Sequence, residues 1–385
     1  MRTVDAAGLP IGDEHPPRIM GVLNVSKESP YSPSVFDDPE AAAAYVDEEL
    51  IGEGADIVDV GLESANKRFE VLSAEEELER LDTAVAAMEA SSGDAVFSIE
   101  TRYHEVADAA LSRGFDMVND ICGFADPEMP AVCAAHDAAV VKMASPPDLQ
   151  RPGAVEDVDD IYDALALNGF TDKTIVDPAF GGWSDEKTLE DDRETFRRLR
   201  EFRGYGHPIL VSINRKNFLR EVAGRDTEAA LPVSLAATSM AVERGAHVVR
   251  THDVAETRDA ALIGEEFARD RVRRDAAGDE GEAVSVEELD VTTAGEAARH
   301  IDRVGGDPAL AGQAVTRTVE FSGLDPEEIG ALRAAAAESS AFIVGEAATV
   351  LVVGTPAGLR NISAAASGVS DGLDAALRAL RGVTE

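Results

Sequence analysis

The feature that most restricts the fold is a repeated alternation of short apolar runs with helical segments. The runs are rich in Val and Ile with few polar residues inside, which is typical of strands buried on both faces of a parallel sheet. Eight such units within about 250 residues predict a (β/α)8 TIM barrel rather than an open doubly wound sheet. The runs are Ile19–Val25, Asp56–Gly61, Val96–Thr101, Asp116–Ile121, Ala138–Met143, Thr174–Phe180, Pro208–Asn214 and His247–Asp253.

The segments between these runs place apolar residues at helical spacing, with acidic residues early in the segment. Acidic side chains near a helix amino terminus complement its dipole, which supports the helical interpretation. The predicted helices include Pro39–Glu53, Ala74–Ala90, His104–Arg113, Asp191–Phe202 and Leu231–Arg244.

The pattern changes after residue 265, where the barrel is expected to end. Residues 266–283 are strongly charged, and we expect a helix end followed by a flexible linker. Residues 284–385 alternate strand and helix patterns again, which predicts a small α/β accessory domain. Its predicted elements are strands at Val284–Val291, Val315–Phe321, Ala341–Val344 and Thr349–Gly354, and helices at Ala294–Val304, Pro326–Glu338 and Leu373–Leu380.

Polar or charged residues stand at the carboxyl ends of seven of the eight barrel runs. Asn and Asp commonly cap helices, but capping alone does not explain so regular a placement. In a (β/α)8 barrel the carboxyl ends of the strands converge on one face, where the active site lies. We therefore expect one site lined by Asn24, Asp59, Glu100 with Thr101, Asn119 with Asp120, Asp177, Asn214 with Lys216, and Arg250 with His252.

Charge excludes one class of partner. The chain has 35 Lys and Arg against 74 Asp and Glu, a formal net charge of −39, and only six of the basic residues are Lys. A surface this acidic would repel the phosphate backbone of a nucleic acid. Acidic residues spread along the whole chain are typical of adaptation to molar salt, where the Debye length falls to about 3 Å. An acidic protein of ordinary salt conditions is the alternative.

The sequence shows neither a membrane-span pattern nor a secretory-leader pattern. No apolar stretch approaches the roughly 18 residues of a membrane span, and the first residues do not form a secretory leader. Cys122 and Cys133 are the only cysteines, which excludes a disulfide scaffold and favours two buried thiols. We expect a cytoplasmic protein with no membrane partner.

Several strand ends lie in segments that resemble dihydropteroate synthases. These segments follow one another in the family's order between about Ile19 and Glu265. Asn24–Ser29 is similar to the corresponding loop of archaeal members, and with the acidic surface it suggests a haloarchaeal type. Part of the last hundred residues is similar to an accessory domain of some members. The matching segments are Met20–Val25, Gly54–Gly61, Asn119-Asp120, Asp177-Pro178, Arg215–Phe218 and Arg250–Val254.

The resemblance implies a reaction and a set of roles. The family joins 6-hydroxymethyl-7,8-dihydropterin diphosphate to 4-aminobenzoate and releases diphosphate. Asp177 would accept hydrogen bonds from the pterin amino and ring N–H groups, Asn119 would read the same ring, and Lys216 would donate to it. Asp59 is a further expected substrate-binding residue, and Glu100, Lys216 and Asp177 are the expected catalytic residues. A related arylamine is an alternative acceptor, and a homodimer is an expected assembly.

The diphosphate end of the substrate requires positive charge. The resemblance assigns Arg250 and His252 to the diphosphate, and Arg suits this role because its planar fork matches phosphate oxygens. Asn24 would help to hold Mg²⁺ through its carbonyl oxygen, which is the hard ligand that this ion prefers.

Two departures from the family pattern fall in the predicted site. Glu100 stands where the family usually has Asp at the end of the third strand, so its carboxylate reaches farther by one C–C bond, about 1.5 Å. The loop after the second strand usually contains an anion-binding Arg, and Asn66 replaces it in register. Our hypothesis is that Arg68 or Lys67 takes over this role.

Two other functions remain open at this point. A pterin-dependent methyltransferase would share the barrel and the Asp and Asn that read the pterin. The Arg215-Lys216 pair and the Arg250–Asp253 segment favour an anionic leaving group instead. The altered loops leave open a pterin-binding protein without catalytic activity.

Overall fold

The computed structural model describes residues 1–25, 34–63, 71–181, 184, 186–269, 271, 273–277, 283–345 and 348–382. The chain divides into two compact units, Met1–Arg269 and Asp270–Glu385. Among the described residues, no helix reaches the length and apolar character needed to cross a membrane.

Eight parallel strands form the centre of the first unit. Their order in the sheet is β8-β7-β6-β5-β4-β3-β10-β9, and a parallel bridge between Val176 and Ile209 joins the two ends of the sheet. The predicted barrel is therefore confirmed. The strands are β3 (Arg18–Asn24), β4 (Ile57–Gly61), β5 (Val96–Thr101), β6 (Met117–Asp120), β7 (Ala139–Met143), β8 (Thr174–Asp177), β9 (Leu210–Val211) and β10 (Val248–Thr251).

Helices follow the strands along the chain. The helix with the clearest start signal is α2 (Ala74–Ala90), where Ser73 and Glu76 form a reciprocal capping box. α1 (Pro39–Tyr45) continues into a π-helical turn at Val46–Ile51, so the predicted helix over this segment is two elements. The others are α3 (His104–Leu111), α4 (Met129–Ala135), α5 (Val158–Ala166), α6 (Leu189–Arg197), α7 (Asn217–Ala223), α8 (Leu231–Glu243) and α9 (Val254–Glu266).

Several predicted strands are shorter than expected, and the shortening of β8 has a clear physical cause. β8 ends at Asp177 rather than at Phe180. Pro178 has no N–H to continue the ladder, and Ala179 takes a left-handed φ of 61° that leaves the extended region. The run predicted over Pro208–Asn214 contributes only the two residues of β9.

A hairpin that the sequence did not predict precedes the barrel. β1 (Val4–Ala6) pairs antiparallel with β2 (Leu9–Ile11), and apolar side chains from both strands lie in one buried cluster with residues of the barrel strands. Asp13 follows the hairpin; one carboxylate oxygen lies 3.0 Å from Nε2 of His247, and the other accepts from Arg203 at 3.3 Å. This clasp joins the start of the chain to residues about two hundred positions later.

The second unit begins inside the segment expected to be a linker. β11 (Arg273–Ala277) pairs antiparallel with β12 (Ala283–Glu287), so the linker prediction over residues 266–283 is wrong at 273–277. A three-stranded antiparallel sheet of order β13-β15-β14 follows: β13 (Arg317–Ser322), β14 (Ala341–Val344) and β15 (Thr349–Gly354). Its helices are α10 (Ala294–Arg303), α11 (Pro326–Ala337), α12 (Pro356–Ala365) and α13 (Asp371–Gly382), of which α12 was not predicted.

Candidate active site

Arg250 lies at the centre of the polar residues that end the barrel strands. Its Nε donates to Oδ2 of Asp59 at 2.7 Å, and its Nη2 donates to Oε2 of Glu100 at 2.6 Å. Arg250 lies on β10, and its two partners lie on the adjacent strands β4 and β5, with β3 between β10 and β4. The guanidinium therefore reaches past β3 to two neighbouring carboxylates. Its pKa is raised, because the attraction of Glu100 and Asp59 exceeds the effect of burial.

Asp59 is fully buried and is held by three donors. Besides Arg250, Ser98 Oγ donates to its Oδ1 at 2.8 Å and Asn119 Nδ2 donates to its Oδ2 at 2.9 Å. A carboxylate engaged in this way fixes the orientation of its partners. These contacts make Asp59 an anchor for Arg250 and Asn119, while direct contact of Asp59 with a substrate stays a prediction.

Asp177 at the end of β8 and Lys216 just before α7 interact electrostatically. Burial raises the pKa of Asp177 to about 6, although the Ala179 N–H, Lys216 and Arg250 all lower it. Burial lowers the pKa of Lys216 to about 8; Arg250 adds to this shift and Asp177 opposes it. Near pH 7, Asp177 is thus mainly a carboxylate and Lys216 mainly an ammonium group. These charge states suit a pterin edge, because the carboxylate accepts from its N–H donors and the ammonium donates to its acceptors.

Two further ionisable groups have shifted pKa values. Burial raises the pKa of Glu100 to about 7; Arg250 opposes this and the neighbouring Asp59 carboxylate adds to it. The longer side chain of Glu100 is what brings it to Arg250. Burial and then the Arg250 charge lower the pKa of His252 to about 3. His252 is therefore neutral at physiological pH and can offer one N–H to an anion but no positive charge.

The amide of Asn24 is held in one orientation by Ser34. Its Nδ2 donates to Ser34 Oγ at 2.9 Å, so the carbonyl oxygen faces the other way. A Cβ built on Gly61 would lie 3.0 Å from Asn24 Oδ1 and 3.8 Å from Glu100 Oε1. Two hard oxygens thus border a space that glycine leaves open, and this donor set fits Mg²⁺.

Arg215, which the sequence suggested for an anionic leaving group, is bound by other residues of the chain. Arg215 Nε and Nη2 donate to the two carboxylate oxygens of Asp253 at 2.8 Å each, and its Nη1 donates to the carbonyls of Thr227 and Glu228. Of the Arg215-Lys216 pair, Arg215 is thus engaged by Asp253, and Lys216 is the residue that can favour an anionic leaving group. Asn66, Lys67 and Arg68 lie outside the described residues.

A second set of buried charges lies next to the site and was not predicted. Arg102 is 1% exposed; its Nη2 donates to Glu63 Oε2 and its Nη1 to the carbonyl of Leu149, both at 2.7 Å. Glu63 also accepts from the Leu72 N–H at 3.2 Å. Glu63, itself held by Arg102, thus joins the residues just before and just after positions 64–70. The place of Arg102 one residue after the strand end Thr101 was the signal in the sequence.

Lys142 was a further unrecognised group. It is fully buried between the rings of Phe124 and Phe170, with Nζ 4.6 Å and 5.0 Å from the ring centroids, and it donates to the carbonyls of Leu167 and Gly169. Burial lowers its pKa to about 8. The contacts give it a structural role, since they hold the end of α5.

The barrel of this chain is similar to proteins of known family. The profile of the pterin binding enzyme family matches residues 20–252. The chain belongs to this family. A dihydropteroate synthase of Bacillus subtilis is 30% identical over 242 residues, which cover 61% of this chain and 83% of that protein. A probable bifunctional folylpolyglutamate synthase/dihydropteroate synthase of Halobacterium salinarum is 32% identical over 259 residues, 64% of this chain and 31% of that protein.

Solved structures of pterin-binding enzymes agree with this assignment. A dihydropteroate synthase of Coxiella burnetii in complex with pteroic acid superimposes with a TM-score of 0.58 at 28% identity, covering 69% of this chain and 98% of that one. The dihydropteroate synthase of Thermus thermophilus in complex with 4-aminobenzoate superimposes with a TM-score of 0.57 at 32% identity. The match covers 69% of this chain and 100% of that one. The barrel of this chain is therefore that of a dihydropteroate synthase, a transferase of a pterinylmethyl group.

Proposed function

We propose that the barrel condenses 6-hydroxymethyl-7,8-dihydropterin diphosphate with 4-aminobenzoate, or a related arylamine, to 7,8-dihydropteroate and diphosphate. The observation that carries the proposal is one cluster at the carboxyl ends of the strands, in which Asp177 and Lys216 lie close to Arg250. The cluster combines groups that read a flat heterocycle with groups that bind an anion. Relatives named for this activity, and one solved with pteroic acid, support it.

Pterin binding follows from the charge states. The Asp177 carboxylate accepts from the amino group and the ring N–H, and Lys216 donates to the ring acceptors. Asn119 has its Nδ2 engaged by Asp59, so its carbonyl oxygen is the atom directed to the pterin. These contacts favour the dihydropterin over heterocycles with a different order of donors and acceptors.

Bond breaking requires charge stabilisation at both ends of the C–O bond. The pterin methylene gains positive charge, and the carboxylates of Glu100 and Asp59 lie on the Arg250 side of the pocket. The leaving diphosphate gains negative charge, which Arg250 and the neutral His252 stabilise by donating hydrogen bonds. Mg²⁺ held by Asn24 would neutralise the diphosphate further.

Diphosphate release by the purified protein is the direct test. We expect release from the pterin diphosphate in molar KCl only when Mg²⁺ and 4-aminobenzoate are both present. Several arylamines run in parallel identify the acceptor. Tight pterin binding without diphosphate release would refute the synthase and leave the non-catalytic function. Methyl transfer from a methylated pterin, in the same preparation, would support the methyltransferase instead.

We further propose a cytoplasmic, salt-adapted enzyme of haloarchaeal type. The net charge of −39 and the similarity to proteins of Halobacterium salinarum and Haloferax volcanii support this. Salt screens repulsion between exposed carboxylates more than it screens contacts inside the pocket. Activity is therefore expected to rise between about 0.1 M and about 1 M KCl, where the Debye length falls from about 10 Å to about 3 Å. A steady fall in activity over this range of KCl concentration would contradict the proposed salt adaptation.

A further inference from the structure

The turn that follows β8 has an unusual backbone. Ala179 has a φ of 61° and Gly181 a φ of 126°. Glycine adopts such values easily, but for alanine the left-handed region is unfavourable. The turn begins only two residues after Asp177, the carboxylate proposed to read the pterin. Contacts from elsewhere must therefore keep Ala179 in this conformation.

Two buried charges from the start of the α6 region hold the turn. Lys187 Nζ donates to the carbonyl of Ala179 at 2.8 Å, and Asp192 Oδ1 accepts from the Gly181 N–H at 3.2 Å. The two side chains form an ion pair at 3.2 Å and are 1% and 4% exposed. The pair binds the turn at two points and does not open to solvent, so it is not itself a substrate-binding group.

Ala179 connects this pair to Asp177. Its N–H donates to Asp177 Oδ1 at 2.7 Å, while its carbonyl accepts from Lys187. The carboxylate of Asp177 therefore takes its orientation from a residue whose backbone is fixed by Lys187. A rotated or mobile turn would release Oδ1 and remove one donor from a carboxylate that is buried.

We propose that Lys187 is a positioning residue that holds Asp177 in the orientation and charge state needed to bind a pterin. The inference rests on the proposed function, because it assumes that Asp177 contacts the pterin. It adds a buried residue outside the pocket to those on which substrate binding depends.

The charged groups that face Asp177 define the expected pH dependence. They are Lys216 just before α7, Arg250 of β10, and Lys187 before α6, whose partner is Asp192 of α6. All three cations lower the pKa of Asp177, and so does the Ala179 N–H. Removal of Lys187 takes away one cation and loosens the N–H donor. Asp177 then protonates at a higher pH, and pterin binding is lost earlier as the pH falls.

The experiment compares three variants by calorimetric titration with 6-hydroxymethylpterin at a series of pH values. Asp192→Asn is the matched control, since Asn still accepts from Gly181 and leaves Lys187 in place. Lys187→Met in the D192N background removes the cation and leaves no unpaired charge. Lys187→Gln in the D192N background keeps a donor for the Ala179 carbonyl and removes only the charge. Thermal unfolding of each variant shows whether it is folded.

At neutral pH, we expect the affinity of D192N for 6-hydroxymethylpterin to be within about threefold of that of the wild type. The Met double variant should bind this pterin about tenfold more weakly than D192N. Both double variants should lose binding at a higher pH than D192N. Equal affinity and an equal pH midpoint for D192N and the Met variant would overturn the inference. If the Met variant does not fold, an unshifted midpoint in the Gln variant overturns it. Wild-type protein without pterin affinity would instead refute the proposed function and, with it, this inference.

Discussion

Glu100→Asp tests whether the length of this side chain is matched to Arg250. In the structure Glu100 Oε2 lies 2.6 Å from Arg250 Nη2. Asp shortens the reach by about 1.5 Å, which opens the contact to roughly 4 Å, beyond hydrogen-bond range. A hydrogen bond between charged groups contributes about 1.5–3 kcal/mol, and 1.4 kcal/mol corresponds to a factor of ten. We therefore expect kcat/KM to fall about 10- to 100-fold, even though Asp is the residue usual in the family.

The assay is diphosphate release at saturating Mg²⁺ in molar KCl. Glu49→Asp is the matched control, because Glu49 is exposed on the π-helical turn after α1 and is remote from the strand ends. Glu100→Gln separates charge from length, since it keeps the reach and removes the charge. If E100D stayed within about twofold of the wild type while E49D was also unchanged, the Glu100–Arg250 contact would not contribute to catalysis and the geometric reasoning would be refuted.

Other perturbations test other parts of the site. Gly61→Ala places a carbon 3.0 Å from Asn24 Oδ1, the oxygen proposed to bind Mg²⁺, so the half-saturating Mg²⁺ concentration for activity should rise about tenfold. Gly330→Ala is the control, because its new carbon meets no atom within 4 Å and should leave that concentration unchanged. Lys216→Ala removes a cation that lowers the pKa of Asp177, so pterin binding, followed by calorimetry against pH, should disappear at a higher pH than in the wild type. An unchanged midpoint would show that the two groups are not coupled. Lys142→Met deprives two backbone carbonyls of a charged donor and should lower the free energy of unfolding in urea by about 2 kcal/mol with pterin affinity unchanged.

The barrel could be predicted because each of its strands is buried on both faces and therefore appears as an apolar run. The same geometry explains the site: parallel strands end on one face, so residues such as Asn119 and Arg250, far apart in the sequence, meet there. Ala74–Ala90 was predicted to the residue from its helical spacing, and a capping box marks its start in the structure.

Other features depend on tertiary distances that a sequence does not contain. In the sequence Arg215 resembles an anion-binding residue, but in the structure it pairs with Asp253, which lies 38 positions later. β1 has three residues, too few to show a period, and β11 reads Arg-Arg-Asp-Ala-Ala, which has the composition of a charged linker. Lys187 gave no signal beyond its rarity, because neither its contact with the Ala179 carbonyl nor its ion pair with Asp192 is marked by a sequence motif.

The clasp between Asp13, Arg203 and His247 has a consequence for the order of events during synthesis. Asp13 leaves the ribosome early, but its partners follow about 190 and 234 residues later. At about 5–20 residues per second, that interval is on the order of ten seconds to a minute. During this time the apolar side of the hairpin and the first strands have no complete partner surface. The barrel can close only after β10 has been synthesised, so the edges of the earlier strands stay unpaired during this time.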